Sequence, residues 1–404
     1  MEGENEGPLK GLRVLELASV LAGPYCAMVL ADLGADVIKV EPPTGDATRG
    51  YGPPWINPDA PTTERSAVYF QSVNRNKRSI RLDLGTDQGR EVVRLLIARS
   101  DVLVENFRPG GMDRLGLGEA ALRELNPKLV QLSITGYGPD GPDSQKPGYD
   151  FVAQAVGGLM SITGFPDAQG GHPTKLGVAI TDIVTGLMGT VGVLAALRSG
   201  VGQRIDVSLL EATLATLINQ AHNAFATGDQ PARLGNAHPN IVPYETFATS
   251  DTEIVVAIGS ERQWPKLCNE LELADLATDE RFADNGARVR NREVLRPILA
   301  ARFAEADSTH WLRRLDEAGI PCGPVNDVLG AFAQPQAVAR GMRVEVEHPK
   351  LGSVPQIGLP YKLSATPASI RSAPPLLGEH SAEILGELGY SAADIETLRA
   401  EGVI

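Results

Sequence analysis

Gly11-Leu-Arg-Val-Leu-Glu-Leu17, Ala22-Gly-Pro24 and Asp32-Leu-Gly-Ala-Asp-Val-Ile-Lys-Val-Glu41 decide the fold. A short apolar run, a Gly-Pro pair opening a helix and a second Val/Ile run are the parts of one β-α-β unit. The alternation continues outward. Strands are expected at Arg13 to Leu17, Val37 to Val40, Ser79 to Leu84, Asp101 to Glu105 and Leu129 to Ile134, with helices from Pro24 and around Arg90 to Ala98. Such a chain builds an α/β domain: a parallel, Rossmann-like sheet covered by helices. Asp182 to Leu197 and Leu209 to Phe225 read as two long helices flanking a strand at Arg204 to Ser208, and a large domain over residues 1–227 ends there. Beyond Gly228 the texture changes to a Pro/Asn/His-rich connection, a strand pair around Tyr244 to Ile258 and charged helices from Trp264 to Gly319. A smaller α+β domain is expected over 228–335. Val344 to Leu363 is β-rich, and Ser381 to Glu401 is helical.

Composition excludes several functions. A net charge of −13 and a pI near 5.0 argue against nucleic acid or an anionic membrane as partner. An anionic ligand then needs local cations, and Arg49, Lys77, Arg78, Arg108 and Arg114 are the candidates. Cys26, Cys268 and Cys322 have no metal-ligand spacing and are odd in number, which fits a reducing compartment: the cytoplasm, or the mitochondrial matrix for a processed eukaryotic form. The acidic start Met1 to Gly7 is neither a secretory signal nor a transit peptide as it stands. The apolar stretch Ile180 to Leu197 holds Asp182, several Thr and repeated Gly, and is read as a buried helix, not a membrane span. No metal is assigned, because the six histidines are dispersed.

Asp182 is the only ionisable side chain between Lys175 and Arg198, and it stands where an apolar run breaks into a helical pattern. Two readings share that geometry. An Asp there caps the helix and complements its dipole; the same N–H groups would hold the carboxylate ionised, ready to act as a nucleophile. Competing chemistries lack their motifs. The turn Ala18-Ser-Val-Leu-Ala-Gly23 has no Gly-x-Gly-x-x-Gly, Gly116-Leu-Gly118 follows a helix-like stretch, and a Gly-x-Ser-x-Gly elbow is missing.

The chain resembles the family III CoA-transferases, the formyl-CoA transferase and carnitine CoA-transferase-like group, from end to end. The resemblance rests on the stretches quoted above together with Gly45-Asp-Ala-Thr-Arg49, Asn76-Lys-Arg-Ser-Ile80, Asp101-Val-Leu-Val-Glu-Asn-Phe107, Ser133-Ile-Thr-Gly-Tyr-Gly138, Gly148-Tyr-Asp-Phe-Val-Ala-Gln154, Gly177 to Gly186, Gly319-Ile-Pro-Cys-Gly-Pro324 and Pro375-Leu-Leu-Gly-Glu-His380. It implies that Asp182 is the acylated nucleophile and that residues 336–404 return to the large domain. It further implies that two chains interlock as a homodimer, with coenzyme A or acyl-CoA as substrate, a free carboxylic acid as second substrate and no permanently bound cofactor. CoA contacts are implied for Val20, Leu21, Ala22, Arg49, Leu82, Asn106, Phe107, Arg108, Arg114, Leu115, Lys146 and Tyr149. His238, Asn240 and Gly259 are implied near the acid. The glycine-run loop of formyl-CoA transferases is replaced by Gly259-Ser-Glu-Arg262. Among branches, the pattern is most similar to the succinyl-CoA:glutarate, dicarboxylate type, through Asn74 to Arg78, Ala237-His238, Ile241 to Tyr244 and Glu347-His-Pro349. A racemase of the same fold would use a histidine before the first one here, His172; an oxidoreductase or a non-catalytic CoA-binding protein are the readings from other classes.

Overall fold

The computed structural model describes residues 7–61 and 65–404; the acidic run 1–6 lies outside them. Six parallel strands form the main sheet: β1 (Arg13–Glu16), β2 (Asp36–Glu41), β3 (Lys77–Arg81), β4 (Val102–Glu105), β5 (Val130–Thr135) and β6 (Arg204–Ser208). Their spatial order is β3-β2-β1-β4-β5-β6, with every neighbouring pair parallel. This is the Rossmann order. The direction in which successive strands are added across the sheet reverses between β1 and β4, so the loops after those two strands diverge and leave a crevice at the carboxyl edge.

Both faces of the sheet are covered. One core joins Leu15, Ile80 and Leu103 to α2 (Asp87–Ala98) and to Ile384, Leu385, Ile395 and Leu398 of the C-terminal helices. The other joins Val14, Val104 and Leu132 to α1 (Ala22–Asp32) and to Val193 and Ala196. Val193 and Ala196 belong to α4 (Ile180–Ser199), which follows the short α3 (Asp150–Val156).

The chain divides into two compact units. Among the described residues, the first comprises 7–61, 65–157, 177–216 and 334–404; the second comprises 158–176 and 217–333. The expected boundary near 227 therefore shifts, and an early segment joins the second unit. The physical reason is local: Gly235 N–H donates to Gly164 O at 3.0 Å, and Arg233 reaches the Phe165 carbonyl at 3.3 Å and the Asp167 carboxylate. Within the second unit, three antiparallel strands at Tyr244–Ala248, Glu253–Ala257 and Cys322–Pro324 pack around Trp264, Phe282, Phe303 and Trp311.

Two helix readings are corrected. The stretch read as one helix from Leu209 to Phe225 is two, Leu209–Thr216 and Ile218–Thr227, because Ile218 sits at φ +29° and interrupts the helical geometry. Helix α4 is not buried all round. It passes for a membrane span by length and composition, at a mean hydropathy of 1.8. Its inner stripe is Thr181, Thr185, Gly186, Gly189, Thr190, Val193 and Ala196, while Leu187, Met188 and Val191 are exposed.

Candidate active site

Small residues bring α4 to the crevice. A Cβ on Gly186 would lie 2.6 Å from the Ala22 carbonyl, and one on Gly189 would lie 2.7 Å from Leu132 Cδ2. With glycine at both positions the helix lies against the start of α1 and against β5, and its first turn arrives at the loop after β1. Asp182 is in that turn.

The crevice is a cleft of about 200 Å³ lined by Ser19, Val20, Leu21, Ala22, Asn106, Phe107, Arg108, Pro109, Ile134, Thr135, Gly136, Ser144, Lys146, Pro147, Gly148, Tyr149, Asp182 and Leu209. It thus gathers loops that follow β1, β4 and β5 at the switch point of the sheet. Asn106 ties two of them together: its Nδ2 donates to Ser19 O at 2.8 Å and its Oδ1 accepts from Ser19 N–H at 3.0 Å. Gly136 and Gly148 cross so closely that a Cβ on Gly148 would lie 2.4 Å from the Gly136 Cα. Helix α1 starts at Ala22 with no side-chain cap, so N–H groups of its first turn are left for a ligand at the cleft wall.

Asp182 does not cap its helix, and it is not held ionised. The cap comes from α3: Asp150 Oδ1 accepts from Thr181 N–H at 2.8 Å, while Asp150 Oδ2 accepts from Gln154 Nε2 at 2.7 Å. The Asp182 carboxyl itself accepts no hydrogen bond among the described residues. Burial, and secondarily the Asp150 carboxylate, push its pKa up from the ordinary 3.8 to about 7. The sequence expectation had the sign reversed, because the N–H group that would have stabilised the anion goes to Asp150. Removing that neighbouring charge with Asp150→Asn keeps an oxygen acceptor for Thr181. With Asp182 as the reacting carboxylate, the acid limb of kcat/KM expected at about pH 7 in the wild type should then move to lower pH. An unmoved limb in a pH–rate series would show that Asp150 does not act on Asp182.

Of the residues expected to touch the cofactor, Val20, Leu21, Ala22, Asn106, Phe107, Arg108, Lys146 and Tyr149 line the cleft with Asp182. Others do not. Leu82 is fully buried among Ile80, Val92 and Leu96. Leu115 packs against the same core, and Arg114 is exposed on the short helix Gly111–Arg114 beside the loop. Arg49 is committed to Glu41 at 2.6 and 2.7 Å, to Pro375 O at 3.1 Å, and lies 3.7 Å over the Phe70 ring. His238, Asn240 and Gly259 belong to the second unit. His238 Nδ1 accepts from Asn240 N–H at 3.0 Å, Asn285 Nδ2 donates to Asn240 O at 2.8 Å, and Gly259 N–H donates to Gln263 Oε1 at 3.0 Å.

The cation candidates also sort themselves. Lys77 pairs with Glu16 at 2.8 Å, and Arg78 pairs with Asp36, Glu383 and Glu387. Lys146 pairs with Asp143. Arg108 and Arg114 form no ion pair among the described residues, so their charge is available to an anion. Sequence reasoning did not single out Ser19, Gly136, Ser144 or Gly148 as cleft residues; the signal was present in Ser133 to Gly138 and Gly148 to Gln154, whose glycines permit the crossing.

A cleft at the switch point of a doubly wound sheet, with an uncapped helix start and a carboxyl whose pKa burial raises to about 7, has the features of a ligand-binding enzyme site. The chain belongs to CoA-transferase family III, whose profile matches residues 9–381. It is 45% identical over 386 residues to the succinate–glutarate CoA-transferase of Agrobacterium fabrum, covering 94% of this chain and 96% of that one. It is 41% identical over 406 residues to the human succinyl-CoA:glutarate CoA-transferase, covering 99% and 90% respectively. A crystal structure of a CaiB/BaiF family protein from Brucella suis superposes with a TM-score of 0.83 at 46% identity, covering 95% of this chain and 99% of that one. The protein is therefore a family III CoA-transferase.

Proposed function

We propose that the enzyme moves CoA from succinyl-CoA to a dicarboxylic acid such as glutarate, with Asp182 as the nucleophile. The observation that carries this reading is the Asp182 carboxyl in the switch-point cleft, free of hydrogen bonds and titrating near 7. Asp182 attacks the thioester carbonyl, forming an acyl-aspartyl anhydride as the C–S bond breaks and CoA leaves as thiolate. The thiolate attacks the aspartyl carbonyl, releases succinate and leaves an aspartyl-CoA thioester. Glutarate then attacks that thioester and the steps reverse. Acylation removes the charge that burial and Asp150 oppose, so the environment that raises the pKa also favours the first step. The free N–H groups at the start of α1 support the oxyanions.

Support for the substrates comes from the relatives named for glutarate and from Arg108, an unpaired cation that lines the cleft of an acidic protein, with Arg114 exposed on the short helix that follows. Labelled succinate should exchange into succinyl-CoA without a second acid, and hydroxylamine added during turnover should convert Asp182 to its hydroxamate as CoA or succinate is displaced. No exchange, or an Asp182 left unmodified by hydroxylamine, would overturn the mechanism. Arg108→Ala should raise the KM for acyl-CoA about tenfold or more with little change in melting temperature, as expected for loss of a charge-assisted contact; unchanged kinetics would place Arg108 on a solvated surface.

The enzyme is proposed to act as an interlocked homodimer. The first unit exposes Phe151, Val156, Leu187, Met188 and Val191, apolar side chains that a second chain would cover. Light scattering across a dilution series should find a dimer at every concentration; a folded, active monomer would refute this.

A further inference from the structure

The cleft wall after β1 is held in an unfavourable backbone conformation by buried charges that do not themselves line the cleft. Val20 sits at φ +71°, where a β-branched residue is strained. Its N–H donates to Asp46, at 3.4 Å to Oδ1 and 3.3 Å to Oδ2. Two residues earlier, the Ala18 carbonyl accepts from Lys39 Nζ at 2.9 Å. Lys39 and Asp46 are themselves paired at 2.9 Å, both side chains about 1% exposed. One buried ion pair thus grips the loop on both sides of Ser19.

The pair is in turn fixed. Lys39 Nζ lies 2.8 Å from Glu16 Oε1, and Lys77 Nζ lies 2.8 Å from Glu16 Oε2 while donating to Pro24 O at 2.8 Å, beyond the loop. Asp46 Oδ1 accepts from Thr48 N–H at 2.9 Å and Thr48 Oγ1 at 2.7 Å, and Asp46 N–H donates to Glu41 at 3.0 Å. The Gly45-Asp-Ala-Thr-Arg49 stretch is therefore the far side of the cleft wall.

We propose that Asp46, acting through Lys39 and the Val20 N–H, is a positioning residue that sets the shape of the CoA-binding wall Ser19–Ala22. The proposal rests on the reading that this cleft takes acyl-CoA. Asp46 contacts no substrate; it keeps Val20 in the left-handed region, so that the side chains and N–H groups of the loop are placed before the ligand arrives. Without the carboxylate, Val20 relaxes toward negative φ and the wall moves. Glycine at position 20 would occupy the same region without help.

The test is a double-mutant cycle on the full-length protein, with the Kd for CoA measured by calorimetry and succinate exchange measured on the same preparations. Asp46→Asn should weaken CoA binding about tenfold in the Val20 background. In a Val20→Gly background the same change should weaken it less than threefold. A purely structural role for Asp46 would lower the melting temperature in both backgrounds and weaken binding by equal factors, which would overturn the proposal. So would an unchanged Kd in a folded Asp46→Asn protein. Should that variant not fold, Thr48→Val removes one donor from the carboxylate. It should weaken CoA binding about threefold, an effect lost when position 20 is glycine; persistence of that factor with glycine would refute the coupling. A wild-type protein that binds CoA but exchanges no succinate would sink the transfer reaction and leave this coupling to be read from Kd alone.

Discussion

Asp182→Asn is expected to lose CoA transfer by about 10⁴-fold or more, the scale of removing a covalent nucleophile, and at the same time to become the more stable protein above neutral pH. The second half follows from linkage. The Asp182 carboxyl titrates near 7 in the fold against an ordinary value of 3.8, so between those pH values the folded state holds the extra proton. Stability from this group is full below the lower value and is lost as pH rises through about 7. At pH 8 the wild type therefore bears the cost of an ionised, half-buried carboxylate, about 2–4 kcal/mol at 1.36 kcal/mol per pKa unit, and the uncharged amide does not. Urea unfolding at pH 8 should show the variant more stable by that order, with the two proteins converging at pH 4. Equal stability at both pH values would mean that Asp182 is not held protonated, and retention of more than a few per cent of activity would remove it from the mechanism.

Gly186→Val should be the most damaging change outside the cleft. The added Cβ would lie 2.6 Å from the Ala22 carbonyl and 3.1 Å from Tyr25 Cδ1. Backbone cannot yield as a flexible side chain does, so α4 must retreat from α1. Overpacking of this kind costs about 1–3 kcal/mol. The retreat carries Asp182 away from Leu21 and Ala22, and a displacement near 1 Å at a reacting group costs about 10²-fold in rate. A thermal melt and kcat at saturating acyl-CoA test both effects. If the protein melts lower while kcat is untouched, the packing of α4 on α1 does not place the nucleophile.

The sheet was legible because parallel strands buried on both faces must be apolar runs, and Leu15, Val37, Ile80, Leu103 and Leu132 are each nearly or wholly inaccessible. The C-terminal helices were legible as helices, but only packing shows that Ile384 and Leu385 complete the core of the first sheet face. Charge was harder to read. Arg49, Lys77 and Arg78 look available in a linear sequence, yet in the fold Glu41, Glu16 and Asp36 pair with them. The ionisation of Asp182 was misjudged for the same reason, since the acid that takes its helix-capping place comes from α3. Leu82 illustrates another limit: alternation along a strand end does not say which face a residue takes, and this one faces the core.

Helix α4 has a consequence for how the chain is made. While it is being synthesised, Ile180–Ser199 is as long and as apolar as a segment that would partition into a bilayer. The elements against which its inner stripe packs, α1 and β5, precede it in the chain, and β6 follows almost at once at Arg204. The helix can therefore dock as it emerges from the ribosome, glycines first against the backbone of α1, so that its inner stripe is withdrawn from water before translation ends.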